Sequence, residues 1–374
     1  MVLSRPHHLQ VYLSNRCNLA CSYCYVAVNQ GASKKLDFPQ IAKAIDLLIA
    51  SPAKKRKLVS FLGGEPFLQK PLLLKSIDYI RKTATEPITI NVYTNGSHLN
   101  PESLDELSRR DVYTILSLDG ERSSTDRHRV FANGQGSVFD EVIKRVKDLP
   151  KQWLKINMVV SAEAIADLVK NVDYFHRMGF YSINFYPEVY SALSQRQLSA
   201  LKRELNHFAN YYARLFLEDE RPFDIPAFSS FLERRATPGN SGWWHSCGNI
   251  VLGFDGNFHA CDKAMSFPAE HPRGSAVGSP EFGMDWDVRG ALYDQARHAI
   301  NQNKKSDFTF CPMGVYFYSR WSRKPRLPLE MNFRQIDSMY SSAFKTVLAR
   351  AGQSASFLAL YPGTAHDALE SFAA

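Results

Sequence analysis

The 374-residue sequence predicts an α/β fold, a partial (β/α)6 TIM-like barrel followed by a small C-terminal module. Up to about residue 190, short β-branched-rich apolar runs alternate with longer amphipathic segments, which is the pattern of repeated βα units around a parallel sheet. From Thr237 the sequence is rich in Gly, Pro and aromatic residues, and three of the six cysteines lie there. We therefore expect a barrel over 1–236, a module over 237–335 and a helical tail over 336–374.

Six strand-helix units account for the predicted barrel, and in such barrels the functional residues gather on loops at the carboxyl ends of the strands. The predicted strands are Leu9–Leu13, Leu58–Leu62, Thr89–Tyr93, Tyr113–Leu118, Lys155–Val160 and Ser182–Tyr186. The helices between them are Phe38–Ala50, Lys70–Lys82, Pro101–Arg109, Ser137–Asp148 and Ala164–Met178. Two further helices, Ser194–Leu217 and Phe228–Arg235, follow, and Asn249–Phe254 with Asn257–Ala260 predicts a hairpin around Asp255–Gly256.

The composition predicts a folded, soluble protein of the cytoplasm. Apolar residues make up 45% of the chain, yet no apolar stretch is long enough to cross a bilayer, and Met1–Gln10 does not resemble a signal peptide. The 45 Lys and Arg exceed the 37 Asp and Glu, which favours an acidic partner such as a peptide. No nucleic-acid recognition motif accompanies the basic run Lys54–Lys57, so neither a nucleic acid nor a membrane is expected as a partner.

Three cysteines, Cys17, Cys21 and Cys24, lie within eight residues directly after the first predicted strand. They cannot all link distant segments as disulfides, and thiolates are soft ligands that favour iron–sulfur clusters or zinc. Three thiolates leave one iron of a cubane cluster without a protein ligand, where a chelating substrate can bind. Structural zinc remains the alternative, but it requires four ligands, and His7 and His8 precede the strand at its opposite end.

The CxxxCxxC spacing, with Tyr23 before the last cysteine, resembles the signature of the radical S-adenosylmethionine (SAM) superfamily. This resemblance implies a barrel of the radical SAM type, with a [4Fe–4S] cluster on Cys17, Cys21 and Cys24 whose open iron chelates SAM. It also implies reductive cleavage of SAM to a 5′-deoxyadenosyl radical that abstracts a substrate hydrogen atom. An electron donor such as flavodoxin or ferredoxin is expected as a partner, and Tyr23 is expected at the cofactor site.

Further motifs follow the next strands in the order that the resemblance requires. Gly63-Gly64-Glu65-Pro66 is similar to the family's GGEP motif, in which paired glycines admit a ligand and Glu65 accepts from the SAM amino group. Thr94-Asn95-Gly96 is similar to its TNG element, which we interpret as structural.

The SAM carboxylate is expected to bind Ser117 and Arg129, again by resemblance. Asp119, in Ser117-Leu-Asp119-Gly120, has chemistry suited to the ribose hydroxyls or the methionyl group. Asn157 and Asn184 lie at strand positions that contact SAM in relatives. A surface ion pair for Arg129 and a buried, satisfied core position for either asparagine remain open alternatives.

Cys247, Cys261 and Cys311 form the second cysteine set, and Gly256 precedes Cys261 by five residues. The set resembles SPASM and twitch domains, which hold auxiliary clusters. A full SPASM domain has cysteines for two clusters, so we expect one auxiliary cluster of twitch type. Its fourth site would be open, taken by substrate, or filled by His259 or Asp262; three unrelated buried cysteines are the alternative.

The layout resembles maturases that crosslink, epimerise or oxidise residues of a ribosomally synthesised peptide. The alternatives are formylglycine formation, as in sulfatase maturases, and oxidation of a small sugar, nucleotide or alcohol. A non-enzymatic alternative is an iron–sulfur or zinc protein that carries electrons. No catalytic acid or base is assigned from the sequence; the candidates are Asp255, His259, Asp285 and Asp287.

Overall fold

A computed structural model describes residues 6–26, 28–53, 55–236, 247–266, 275–301, 310–322 and 326–362. Its main sheet contains eight strands in the order β6-β5-β4-β3-β2-β1-β7-β8. The six predicted barrel strands are all present, within one or two residues of the expected bounds. They are β1 (His8–Tyr12), β2 (Lys57–Leu62), β3 (Ile88–Thr94), β4 (Val112–Ser117), β5 (Leu154–Val160) and β6 (Ile183–Pro187).

The helices of the barrel are those predicted, with one short addition, α4, that was not predicted. They are α1 (Phe38–Ile49), α2 (Lys70–Thr83), α3 (Pro101–Ser108), α4 (Arg122–Thr125), α5 (Val138–Val146), α6 (Leu168–Arg177), α7 (Gln195–Leu217) and α8 (Pro226–Ala236). Side-chain capping explains several starts: Asp37 accepts from the Gln40 N–H, and Ser194 accepts from the Gln197 N–H. α6 begins later than expected because residues 165–167 form a separate 3-10 turn.

The strands of the barrel alternate between a buried outer face and a lumen face. In β3, Ile88, Ile90 and Val92 are buried against the helices, whereas Asn91 and Tyr93 are only half-buried. Each strand from β1 to β6 pairs in parallel with the next. All their carboxyl ends therefore lie at one edge of the sheet, and the loops that carry the sequence motifs start there.

The C-terminal module extends this sheet. β7 (Asn249–Leu252) pairs in parallel with β1, with His8 opposite Asn249, and β8 (Phe258–His259) returns antiparallel to β7. The predicted hairpin is confirmed, and Gly256 adopts a φ of +83° in its turn. Its attachment to β1 was not predicted. A small pair, β9 (Gly278–Ser279) and β10 (Gly283–Met284), and the helices α9 (Trp286–Asn301) and α10 (Pro312–Ser322) complete the module.

Two helices close the described chain, α11 (Arg326–Ala351) and α12 (Ala355–Leu360). Tyr340 of α11 is fully buried, with its ring centroid 5.7 Å from that of Phe185 in β6. The predicted division between residues 335 and 336 therefore falls inside a continuous helix that packs on the barrel. No helix within the described ranges combines the length and apolar character needed to cross a membrane.

Candidate functional site

The cysteine loop after β1 is fixed by backbone and asparagine hydrogen bonds. Asn29 accepts from the Cys17 N–H at 3.1 Å and donates to the Cys17 carbonyl at 2.8 Å. The Ala20 N–H donates to the Val130 carbonyl at 2.8 Å, which joins the loop to the segment that carries Arg129. These contacts fix the backbone of the loop around Cys17 and Ala20.

The three thiols of this loop lie close together. Burial raises the pKa of Cys17 to about 12, with smaller contributions from the nearby Cys21 and Cys24. Burial also raises the pKa of Cys21 to about 11, opposed by the positive charge of Arg129. None of the six cysteines is in a disulfide. The structure therefore brings the predicted ligand set together as free thiols.

Gly63 and Gly64 run directly against the start of the cysteine loop. The Gly64 N–H donates to the Ser14 carbonyl, and the Glu65 N–H donates to the Arg16 carbonyl, both at 2.8 Å. A Cβ atom on Gly64 would lie 1.9 Å from the Arg16 carbonyl oxygen, and one on Gly63, whose φ is +143°, would lie 2.8 Å from that of Ser14. Only glycine fits here, so these residues first serve the close approach of two loops.

Glu65 is 1% exposed, and its carboxylate is occupied by protein donors. Oε1 accepts from the Thr94 hydroxyl at 2.7 Å and from the Phe67 N–H at 3.1 Å, and Oε2 accepts from the Asn95 N–H at 2.8 Å. Burial raises the pKa of Glu65 to about 7 despite these bonds. The side chain therefore ties the β2 loop to the β3 loop.

Asp119 and Arg129 form a buried ion pair, which was not predicted. Arg129 donates through Nε and Nη2 to the two carboxylate oxygens, each at 3.0 Å. Asp119 also accepts from the Val159 N–H at 2.9 Å and from the Tyr23 hydroxyl. The pair is 7% and 2% exposed, so the surface ion pair considered for Arg129 is wrong. Any bond from Arg129 to a cofactor must use its remaining N–H groups.

Ser117, Asn157 and Asn184 form a polar row across three neighbouring strands. Ser117 in β4 is opposite Asn157 in β5, which is opposite Asn184 in β6, so all three side chains point to one face. Asn184 donates to Asn157 at 3.4 Å and accepts from the Ala227 N–H at 3.1 Å. Ser117 and Asn157 are half-buried, and Asn184 is buried.

The second set of cysteines is also gathered. Burial is the main cause that raises the pKa of Cys311 to about 12, and the neighbouring Cys247 raises it as well. Burial also raises the pKa of Cys261, and the nearby Asp262 and, to a smaller extent, Cys311 add to this effect. Tyr293 lies within hydrogen-bond range of Cys247 and donates to the Ala260 carbonyl at 2.7 Å. Three cysteines distant in sequence therefore meet at one place.

The side chains suggested for a fourth position have partners already. His259 contacts Asp255 through Nε2 at 3.0 Å and Ser275 through Nδ1 at 3.1 Å, so both ring nitrogens are used. Asp262 accepts from the Cys261 thiol at 3.2 Å and from Lys263 at 2.7 Å. Of the two, Asp262 is the one that touches a cysteine of the set.

Lys263 joins the two cysteine-bearing segments. Its ammonium lies 3.8 Å from the ring centroid of Tyr25, the residue after Cys24, and 5.3 Å from that of Tyr190. The Tyr25 hydroxyl is 2.7 Å from that of Tyr12 at the end of β1. Lys263 follows Cys261 by two residues, so the segment that carries Cys261 contacts the segment that carries Cys24.

The sequence analysis missed several residues that support the site. Asn95 donates to the Asn18 side chain at 2.9 Å and lies 3.8 Å from the Cys17 sulfur. His128 lies 2.7 Å from the Ser22 hydroxyl and stacks near Tyr23. Asn95 belongs to a recognised motif and could have been found, whereas no pattern pointed to His128, Lys263 or Tyr25.

The donor set fits the cofactors that the resemblance implies. Soft thiols on one loop suit an iron–sulfur cluster, and the tight glycine turn beside them places backbone next to the open side of the loop. The polar row supplies hydroxyl and amide groups of the kind that bind an amino acid and a ribose. Within the described residues, no group of three or more His, Cys, Asp or Glu side chains is placed to hold a single metal ion.

Comparison with known proteins agrees with this geometry. An uncharacterized protein of Methanocaldococcus jannaschii is 30% identical over 183 residues, covering 48% of this chain and 61% of that protein, less than two thirds of its length. A serine-type anaerobic sulfatase-maturating enzyme of Bacteroides thetaiotaomicron is 25% identical over 342 residues, 82% of this chain and 81% of the relative.

A solved structure has the same fold over almost the whole chain. It is native anSMEcpe with bound AdoMet and Cp18Cys peptide, with a TM-score of 0.66, 18% identity, and coverage of 98% of this chain and 99% of that one. The family model described as the radical SAM superfamily matches residues 11–182. Residues 11–182 of this chain therefore form a domain of the radical SAM superfamily.

Proposed function

We propose that this enzyme reductively cleaves SAM and uses the radical to modify a ribosomally synthesised peptide. The observation that carries the proposal is the contact of Lys263 with Tyr25, which joins the segment after Cys261 to the segment after Cys24. A substrate held between the two sets would lie against the carboxyl ends of the strands, where barrels of this kind place their chemistry.

In this proposal Cys17, Cys21 and Cys24 hold a [4Fe–4S] cluster. When bound, this cluster supplies the electron that splits SAM into methionine and a 5′-deoxyadenosyl radical. Gly63 and Gly64 permit the close packing of the adjacent loops. The sequence predictions for the remaining SAM contacts stay predictions, and they concern Tyr23, Glu65, Ser117, Asp119, Arg129, Asn157 and Asn184.

The geometry distinguishes two kinds of role within that group. Ser117 and Asn157 are half-buried on the lumen face, so they suit direct contact with SAM. Tyr23, Asp119 and Arg129 bond to one another, so they suit the positioning of the cysteine loop next to Cys21. Glu65 suits positioning as well, since three protein donors occupy its carboxylate.

We further propose one auxiliary iron–sulfur cluster on Cys247, Cys261 and Cys311. The mutual proximity of these thiols supports it, because chance would seldom bring together three cysteines that are 14 and 50 residues apart in sequence. Asp262 is the side chain best placed to approach its fourth position. An external one-electron donor, such as flavodoxin or ferredoxin, is expected, and the cytoplasmic location stays a prediction.

A peptide substrate is supported by a neighbour of the same fold that binds AdoMet together with a peptide. The formal net charge of +8 also favours an acidic segment in the substrate. Formylglycine formation is the second candidate, because a sulfatase-maturating enzyme matches over 82% of the chain. The presence of only three cysteines beyond the first set argues for a different reaction, since full SPASM domains hold two auxiliary clusters.

The test uses anaerobically reconstituted full-length protein, a reductant, SAM and a peptide encoded beside its gene. We expect 5′-deoxyadenosine and a change in peptide mass. A sulfatase-derived peptide that becomes about 2 mass units lighter at a serine, through loss of two hydrogens, or about 18 units lighter at a cysteine, through loss of two hydrogens and exchange of sulfur for water-derived oxygen, would favour the second candidate. Deoxyadenosine that is stimulated by a small metabolite, with no change in any peptide, would contradict peptide modification.

Cysteine variants test the cluster assignments separately. Ala at Cys17, Cys21 or Cys24 should abolish deoxyadenosine formation, whereas Cys311→Ala should spare part of it. Wild-type protein should hold about eight iron atoms and Cys311→Ala about four. Retained cleavage in the first three variants would reject the ligand assignment, and about four iron atoms in the wild type would reject the auxiliary cluster.

A further inference from the structure

Arg289 places a positive charge inside the C-terminal module. The residue lies on α9 and is 3% exposed. Its Nη2 donates to the carbonyl oxygens of Cys247 at 2.6 Å and Asn249 at 3.1 Å. Its guanidinium carbon lies 4.6 Å from the ring centroid of Tyr293, one turn further along the helix.

This guanidinium has no carboxylate partner among the residues that the structure describes, and its buried Nε has no acceptor there. The half-buried Lys263 differs, because Asp262 balances its charge at 2.7 Å. Removal of a charge from water costs several kcal/mol unless an opposite charge lies nearby. Arg289 therefore calls for an anion close to Cys247.

Tyr293 lies near both Arg289 and the second cysteine set. The phenol of Tyr293 is within hydrogen-bond range of Cys247 and near Cys261, while its ring contacts Arg289. A thiol that binds a metal is deprotonated, so three bound thiolates supply the missing negative charge. The guanidinium of Arg289, the ring of Tyr293 and Cys247 are thus neighbours in the module.

We propose that Arg289 is the counter-charge of an iron–sulfur group on Cys247, Cys261 and Cys311, and that it raises the reduction potential of that group. The inference rests on the auxiliary cluster proposed above. Reduction adds one electron from an external donor and makes the group more negative, and a nearby cation stabilises the reduced form more than the oxidised form. Arg289 is a positioning and tuning residue that touches no substrate.

The test is a redox titration with dithionite, followed by electron paramagnetic resonance, on reconstituted full-length protein. The signal missing from Cys311→Ala protein is assigned to the second set. Arg289→Gln should make reduction of the second iron group at least tenfold less favourable. This change corresponds to a midpoint potential lower by about 59 mV for one electron. Arg289→Lys keeps the positive charge, so its midpoint potential should fall by less than half of that shift. Arg297→Gln, on the same helix, is the matched control and should leave the potential unchanged.

An unchanged potential in Arg289→Gln would overturn the proposal, as would wild-type protein without a second signal. If Arg289→Gln loses the second iron group, Arg289→Lys decides: retention of the group supports the charge role, and its loss rejects it. Deoxyadenosine formation is measured in every sample. Failure of SAM cleavage itself would count against the proposed function, whereas normal cleavage without a second signal counts only against the auxiliary group.

Discussion

The carboxylate of Asp119 holds the guanidinium of Arg129 through two hydrogen bonds of 3.0 Å inside the protein. The same carboxylate accepts from the backbone of β5 and from Tyr23 of the cysteine loop. One acid therefore joins the loop after β4 to the next strand and to the segment between Cys21 and Cys24. The position of the cysteines depends on this pair as much as on the cysteine spacing.

Asp119→Asn should destabilise the protein by about 3 to 5 kcal/mol, because it leaves the buried Arg129 charge without its partner. Chemical unfolding of metal-free protein measures the change in free energy. Asp105→Asn is the control, since Asp105 pairs with Arg109 on an exposed helix face and should cost about 0.5 kcal/mol or less. Similar losses of unfolding free energy in the two variants would show that the buried pair contributes no more to stability than the exposed pair.

Gly64→Ala should displace the cysteine loop, because its Cβ would lie 1.9 Å from the Arg16 carbonyl oxygen. We expect less iron bound by the first cysteine set and a loss of SAM cleavage, measured by iron content and deoxyadenosine. Gly134→Ala is the control: it has a φ of +72° but open space around it, so it should cost about 1 kcal/mol and leave iron content normal. Full iron content in Gly64→Ala would contradict this role.

Glu65→Gln should lower stability by about 1 to 3 kcal/mol, because an amide cannot accept all three donors that the carboxylate serves. The loops after β2 and β3 should also exchange amide hydrogens faster, which mass spectrometry can follow. Glu102→Gln, at an exposed helix start, should change the unfolding free energy by a few tenths of a kcal/mol. Unaltered exchange near Asn95 would argue against a bridging carboxylate.

The lowered pKa of His8 predicts that the protein loses stability in mild acid. Burial lowers its pKa to about 4, and the unfolded chain binds the proton at about 6.5, so the unfolded state holds more protons between these values. Stability should therefore fall as pH falls from about 6.5 to 4. His8→Gln, which can keep the contact with Ser60, should remove this part of the slope in urea unfolding at several pH values. An identical slope would reject a neutral, buried histidine.

The barrel could be predicted because its evidence is local. Apolar β-branched runs, capping residues such as Ser194, and cysteine and glycine motifs at strand ends are readable from a single stretch of sequence. The pairing of β7 with β1 could not be predicted, since nothing near Asn249 states which distant strand it will join. The start of α11 at Arg326 could not be predicted either, because the helical pattern from which the tail was predicted begins only at Ile336.

Site residues that belong to a motif with fixed spacing could be predicted from the sequence. Residues that reach the site only through tertiary packing were missed. Cys17, Cys21 and Cys24 lie within eight residues of one another, so their spacing by itself points to one shared site. The partner of Arg129 is an acid ten residues earlier, and only burial shows that the two belong together. Lys263 and Arg289 carry no motif at all, and their roles follow from the rings and carbonyls that surround them.

The parallel pairing of β7 with β1 covers what would otherwise be an unpaired edge strand of the sheet. A polypeptide shortened to end at residue 236 would present the main-chain N–H and C=O groups of His8 to Val11 to solvent and to other molecules. Such a fragment should self-associate rather than behave as an independent monomer. The C-terminal portion thus acts as a shield for the strand that leads into the cysteine loop, and the two halves are expected to melt together.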